Sequence, residues 1–500
     1  MLSRETGIMG KGGQQIMAQP GVAEGSKGRD PSEAPRQVTH AELRKHNRFS
    51  DAWMTIGTKV YDVSNWSEHP GGSVIFTHAG EDMTDVFNLF HPPSARGLLD
   101  KFYIGELVED SAAPAPTAEE KARAEAQTKF EQAYRNLRSK MITAGLFKLS
   151  YGFYVYKFLS QFVLLGVAAA CARQPGFLPF VVGAVFLALF WEQAGWLAHD
   201  VCHNQLCEMK NGRAMSSWNH ALGLMAGNVF QGFSVTWWKD KHNRHHAVPN
   251  VHGAGDALNA DPDIDTMPLL AWSLKMAELA KSSSKGRFMI SIQKFTYLPL
   301  LCFARLAWLQ NSIQFVWNIK SDGIFDNATK SEDLLKVQSE VLTGFDKVLE
   351  QVLIIFHHLW VAVLCAQRGS LGGAVAFWLL AQAICGFVLF SITSLGHNGL
   401  PVYEANDKPD YWKLQVTTTR NITGNAFVHW LCGGLEYQVD HHLFPMMPRH
   451  SLPKAHELIV SFCKEHGIKY NEASYWKGTW DVLNHLDSVA HEFVAEFPAM

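Results

Sequence analysis

The chain has 500 residues, 47% hydrophobic and only 18% charged, with a formal net charge of −3 and an aromatic set that includes 31 Phe and 16 Trp. That length accommodates two or more domains. Near-neutrality argues against a nucleic-acid binder, and so small a charged fraction points to long apolar runs. The eight cysteines form no C-x-x-C pair, which argues against a disulfide framework or a zinc ribbon.

Residues 1–37 are rich in Gly, Gln, Ser and Pro and contain no apolar signal-peptide core, so a disordered tail is expected, with the first membrane helix directing insertion. Residues 38–107 read as a compact soluble domain. Ala52–Val63 predicts two short strands around a Gly57-Thr58 turn. Helix-like Ser73–Ala79 and Met83–Phe90 follow, bracketed by His69-Pro70-Gly71-Gly72 and His91-Pro92. The two histidines lie 22 apart on loops bounded by Pro and Gly, inside an aromatic-rich segment.

This segment resembles cytochrome b5 through Val60-Tyr61-Asp62-Val63, the HPGG loop, Asp85-Val86-Phe87 and Phe102-Tyr103-Ile104-Gly105. The resemblance implies a small α+β fold holding haem b, with His69 and His91 as axial ligands and His78 not a ligand. Two axial imidazoles leave iron no open position, which suits electron transfer rather than oxygen binding. Glu68, Glu81, Asp82 and Asp85 surround these loops, either steering a basic reductase or forming a solvated face.

Residues 108–148 are expected to be an Ala/Pro linker (108–116) followed by a helix. Phe130, Tyr134, Leu137 and Met141 form a helical stripe, suited to core packing more than to lying on a membrane. From 149 to 500 an all-α membrane domain is expected. Tyr151–Ala172 and Gly176–Ala198 form one hairpin of spans; Val352–Ala366 and Leu371–Thr393 form another, each near the roughly 20 residues a bilayer crossing needs. The apolar patch Tyr297–Trp308, interrupted by Pro299 and Arg305, is expected to be re-entrant or interfacial.

Two hairpins place the tail, the soluble domain and the C-terminus on one side. Each hairpin loop carries a single Arg, whereas Lys140, Lys148, Lys336, Lys347, Lys408 and Lys413 flank the other ends, so that shared side is expected to be cytosolic. The sequons at Asn65, Asn327 and Asn421 would then be chance matches.

Three histidine groups lie on the same side: His199-x-x-x-His203, His242-x-x-His245-His246 and Gln438-x-x-His441-His442. On a helix, residues three and four apart share a face, so each group is expected to aim its rings at one point. Neutral imidazole ligates iron, copper and zinc. Seven histidines in three groups near apolar runs therefore read as one shared metal site. His220, His252, His358, His429 and His450 are left to structural roles.

The stretches Trp237–His246 and Gln438–Pro445, with Gly195–Asp200, resemble the histidine boxes of front-end fatty-acid desaturases, and the likeness covers nearly everything after residue 38. The fused haem domain and Gln438, where related desaturases carry His, are the specific signature. The resemblance implies two non-haem iron ions held by His199, His203, His242, His245, His246, His441 and His442, with His397 a further candidate. Asn204 stands where the pattern HDxxHH has a second histidine and is expected beside the metal rather than on it. Asp200, Asp240 and Asp440 are either acceptors for ligand imidazole N–H groups or solvated. Gln438 either bonds to what iron binds or positions a ligand. Glu192 faces the substrate path or reaches the interface. Trp191, Trp196, Phe377 and Trp378 are candidate wall residues for an acyl slot.

The implied reaction inserts a cis double bond between an existing one and the carboxyl end of a polyunsaturated acyl chain, using O2. Electrons would come from NADH through a separate cytochrome b5 reductase and the chain's own haem. The stretches WWKDKHNRHH and DPDIDTMPLLAWS look most like delta-6 enzymes acting on C18 substrates. Delta-5 or delta-8 desaturation, sphingoid-base desaturation, lipid hydroxylation and a membrane-anchored electron carrier are the alternatives. The endoplasmic reticulum is the expected location, with a lipid or acyl-CoA substrate.

Overall fold

The computed structural model describes residues 34–67, 69–91, 93–109, 117–206, 214–253, 259–319, 337, 339–407 and 409–498. The expectations for residues 1–33, Glu68, the 110–116 linker, Asn327, Lys336 and Lys408 fall outside them.

The N-terminal domain is built on a sheet of β1 (Arg36–Thr39), β2 (Asn47–Arg48), β3 (Asp51–Ile56), β4 (Lys59–Asp62) and β5 (Tyr103–Val108), in the order β1-β5-β4-β3-β2. The hairpin expected around Gly57-Thr58 is β3–β4, paired antiparallel from Trp53↔Asp62 to Ile56↔Lys59. Gly57 takes φ +67, the left-handed conformation glycine adopts without strain. Helix α1 (Thr84–Phe90) packs Val86 and Phe87 into a core with Phe49, Met54, Ile75, Phe76 and Phe102.

Helix α2 (Ala118–Thr143) starts at a capping box in which Thr117 and Glu120 satisfy each other's backbone N–H. Its stripe packs as expected. Tyr134, Leu137 and Met141 are buried with Val439, Leu443 and Phe444, and the Tyr134 hydroxyl donates to the Leu443 carbonyl at 2.8 Å. Arg135 binds both oxygens of Asp85 at 3.0 and 3.3 Å, while His78 meets Glu81 at 3.1 Å. These two carboxylates therefore have partners inside the molecule.

Among the described residues, four helices are long and apolar enough to cross a membrane: α3 (Tyr151–Ala172), α4 (Phe177–Cys202), α7 (Gly344–Ala366) and α8 (Leu371–His397). They form the two hairpins expected. Arg368 in the second turn donates to the Gln174 carbonyl in the first at 2.6 Å, so the two turns are joined. Between the hairpins lie α5 (Val235–Ala247) and α6 (Gln293–Trp317).

Pro299 and Arg305 both lie inside α6, which runs for 25 residues and is not one of the helices apolar enough to cross a membrane, in keeping with the expectation that this patch is not a span. Gly386 of α8 allows the close crossing, since a Cβ there would lie 2.8 Å from the Leu301 carbonyl oxygen. Arg305, 1% exposed, is satisfied by the Gln231 side chain at 3.0 Å and by Gln382, and its guanidinium lies 3.9 Å from the Trp191 ring centroid. These partners accommodate the buried charge. Asn421 is 3% exposed, so its sequon is closed to modification.

Candidate metal centre and its haem domain

The three histidine groups converge, but not as one site. His199, His203, His242, His246 and His441 form one cluster, with ligand nitrogens within 4.8 Å of one another; His245, His397 and His442 form a second. The reason is helical geometry. Successive residues on a helix point about 100° apart, so His245 and His246 on α5 diverge, as do His441 and His442 on α9 (Gln438–Leu443). The i,i+4 pairs His199/His203 and His242/His246 keep one face and stay together. The expectation that each group aims at a single point is corrected in that respect. His397, at the cytosol-side end expected for α8, completes the second cluster.

Within the first cluster, Nε2 atoms face one another: His199 and His441 at 3.0 Å, His242 and His246 at 3.0 Å, His246 and His441 at 3.1 Å. A divalent metal with bonds of about 2.1 Å to two imidazoles at right angles separates them by about 3 Å. Burial, reinforced by the neighbouring rings, holds His203, His242, His246, His441 and His442 well below the ordinary histidine pKa, so each keeps a neutral lone pair. His203 Nε2 and His442 Nε2 are buried without a hydrogen-bond partner among the described residues. Orphaned, neutral, converging nitrogens fit a pair of metal ions.

The far side of each ring in the second cluster is also arranged. His245 Nδ1 lies 3.0 Å from both oxygens of Asp261; His397 Nδ1 lies 3.1 Å from the Thr418 carbonyl; His442 Nδ1 lies 2.8 Å from Gln415 Oε1. Burial lowers the His245 pKa, but the carboxylates of Asp261 and Asp263 outweigh it and leave the value raised. Of the three aspartates beside the groups, only Asp200 meets a ligand ring, with His199 Nδ1 at 3.4 Å, and it pairs with Arg449 at 2.7 Å. Asp440 instead binds Asn421, His456 and Tyr470. Asp240 reaches the haem domain. Asp261, Gln415 and Thr418 were missed; the alternating Asp261-Pro262-Asp263-Ile264-Asp265 in a charge-poor chain was the available signal for the first.

Gln438 Nε2 lies 2.7 Å from His397 Nε2, and Gly396 is needed there, since a Cβ would lie 2.9 Å from Gln438 Cγ. Asn204 follows α4 at φ +57, a left-handed conformation Asn tolerates. Glu192 is fully buried and accepts from Gln193 at 3.3 Å, so it does not reach the interface, and it is not among the cavity-lining residues. His252 and His429 pair with Glu404 and Glu436, as structural histidines do.

A cavity of about 560 Å³ leads to the clusters, lined by Trp196, Trp238, Leu301, Trp308, Leu389 and Phe390, and reaching His199, His242, His245, His397 and Gln438. Of the four expected wall aromatics only Trp196 lines it. Trp191, Phe377 and Trp378 pack among the membrane helices.

In the N-terminal domain the His69 and His91 rings lie 5.9 Å apart between centroids. Each Nδ1 faces a backbone carbonyl, His69 that of Gly72 at 3.3 Å and His91 that of Phe87 at 3.1 Å, which leaves both Nε2 atoms as acceptors. Burial lowers the His69 pKa to about 3. Two neutral imidazoles facing across a gap fit bis-histidine haem.

Four apolar spans, two histidine clusters at the end of an apolar cavity, and a bis-histidine domain define a membrane oxidoreductase with its own electron carrier. The family model "Fatty acid desaturase" matches residues 175–474, and that of the "Cytochrome b5-like Heme/Steroid binding domain" matches 39–108. An acyl-lipid (9-3)-desaturase of Physcomitrium patens is 36% identical over 462 residues, 91% of this chain and 79% of the relative. The Delta(6)-fatty-acid desaturase fat-3 of Caenorhabditis elegans is 30% identical over 452 residues, covering 86% and 94%. A Delta(8)-fatty-acid desaturase of Helianthus annuus is 28% identical over 472 residues, 92% of each. The chain belongs to the fatty acid desaturase family, as a front-end desaturase with a fused cytochrome b5 domain.

Proposed function

We propose that this desaturase holds two non-haem iron ions, one at His199, His203, His242, His246 and His441, the other at His245, His397 and His442, and haem b between His69 and His91. It acts on C18 polyunsaturated acyl chains at the delta-6 position. The observation that carries the reading is the apolar cavity ending on both histidine clusters and Gln438. Bound there, iron and dioxygen supply an oxidant strong enough to take hydrogen from an unactivated methylene, which no side chain can. Two substrate hydrogens leave as a C=C bond forms; with two further electrons and two protons, O2 becomes two waters.

The chain's residues supply position. Trp196, Leu301, Trp308 and Phe390 hold the acyl chain in an apolar slot. Asp200, Asp261, Gln415 and the Thr418 carbonyl fix the tautomers of the ligand rings. Gln438 lies beside His397 Nε2 at the end of the cavity, where it would face whatever the second cluster binds. The external electrons come from NADH through a separate reductase, and the whole assembly faces the cytosol at the endoplasmic reticulum, a side supported by the lysines flanking the outer span ends. Domain limits of 1–37, 38–107, 108–148 and 149–500 follow from the same reading.

The delta-6 position rests on the resemblance of the stretches around His242 and Asp261, together with a relative named for that position. Relatives named Delta(8) and Delta(5) make those positions the competing outcomes. Defined C18 and C20 fatty acids fed to an expressing host, with the new bond located by mass spectrometry, decide among them. A bond at delta-5 or delta-8, a hydroxy lipid or an altered sphingoid base would overturn the delta-6 assignment.

A further inference from the structure

The haem domain is docked onto the metal centre by specific contacts. Its HPGG loop lies on α5, the helix of the second histidine group. The Ser73 amide donates to Asp240 Oδ1 over 2.6 Å, and Asn243 Nδ2 donates to the Gly71 carbonyl over 2.9 Å. Asp240 is 1% exposed and Asn243 7%. A buried carboxylate is costly unless bonded, so this contact is not incidental surface touching.

The approach depends on Gly72, which takes φ +80; a Cβ there would lie 2.4 Å from Asp240 Oδ1. Apolar packing surrounds the polar contacts. Val74 joins a cluster with Ala247, Val248 and Leu414, and the Phe90 ring meets His246 edge-on at 6.3 Å. In sequence, Asp240 stands two residues before His242 and Asn243 two before His245, while Gly71 stands two after His69. Two hydrogen bonds thus join the segment holding one haem ligand to the segment holding three metal-cluster histidines.

We propose that Asp240 and Asn243 are positioning residues forming a latch that seats the haem-bearing loop on α5. The latch fixes the distance over which electrons pass singly, ferrous haem becoming ferric as ferric non-haem iron becomes ferrous. A nicotinamide-dependent flavoprotein reduces the haem again. This rests on the haem and iron assignments above.

The test uses the full-length protein with Asp240→Ala, Asn243→Ala and the conservative Asp240→Asn, which keeps an acceptor oxygen. Deuterium exchange at the Ser73 amide, measured with and without cofactors, is expected to quicken about tenfold in Asp240→Ala and to stay near the parent value in Asp240→Asn. Haem absorbance and iron content are expected to hold, while re-oxidation of pre-reduced haem under substrate and O2 slows about tenfold in both alanine variants. Unchanged exchange and unchanged re-oxidation overturn the latch. So does loss of iron from Asp240→Ala, which would make Asp240 part of the histidine centre. If the parent protein binds no iron or makes no new double bond, the functional reading fails instead, and exchange at Ser73 still judges the docking.

Discussion

His245 and His397 face each other Nε2 to Nε2 at 3.2 Å, each ring fixed from behind, His245 by Asp261 and His397 by the Thr418 carbonyl. Facing acceptors at that distance need a cation or a proton between them. Asp261→Asn weakens the grip on the His245 ring without changing its size. Iron affinity is expected to fall roughly 10- to 100-fold, with haem absorbance unchanged. Metal analysis of the purified variant checks this; a full complement of two irons would refute the role given to Asp261.

The haem site is expected to be separable from the iron site. His91→Ala removes one imidazole from the facing pair, so the haem absorption band is lost while iron content persists. His245→Ala is expected to do the reverse, abolishing product with an intact haem spectrum. Loss of both groups from either variant would mean that the two assignments are not independent.

Arg305 tests the polar contacts of α6. Arg305→Ala removes the partner of Gln231 and Gln382 in an interior that offers no replacement. The expected cost is about 3 kcal/mol, read as a lower unfolding temperature in detergent. Arg305→Ala paired with Gln382→Leu, which removes one stranded amide as well, is expected to recover part of that loss.

His456 gives a pH dependence. Its hydrogen bond to Asp440 raises its pKa against the lowering effect of partial burial. A raised folded pKa stabilises fully below the unfolded value of about 6.5 and ceases to do so as pH climbs through the folded value. The gap in unfolding temperature between the parent protein and His456→Gln is therefore expected to be wide at about pH 6 and to close toward about pH 9. A gap that widens with pH contradicts the pairing.

Much of the centre was legible because its chemistry is concentrated in short segments. His199, His242 and His441 announce themselves by helical spacing next to apolar runs, and the spans follow from length. The division into two clusters was hidden, because spacing says which residues share a face but not which neighbour crosses to another partner; only packing sends His245 toward His397. The acceptors behind the rings were hidden for another reason. Thr418 acts through its backbone carbonyl, which any residue carries, and Gln415 is an ordinary amide in an ordinary helix. The partners of Arg305 were hidden too, since a local rule cannot see Gln231 and Gln382 waiting across the helix interface.

Tyr134 on α2 bonds to the Leu443 carbonyl, immediately behind His441 and His442. The segment that connects the haem domain to the rest thus also braces the short helix that carries His441 and His442. Transplanting a foreign haem domain with a splice inside residues 118–143 would remove that brace, whereas a splice ahead of Thr117 would leave it in place. Swapping the electron donor and preserving the catalyst are compatible only on one side of that seam.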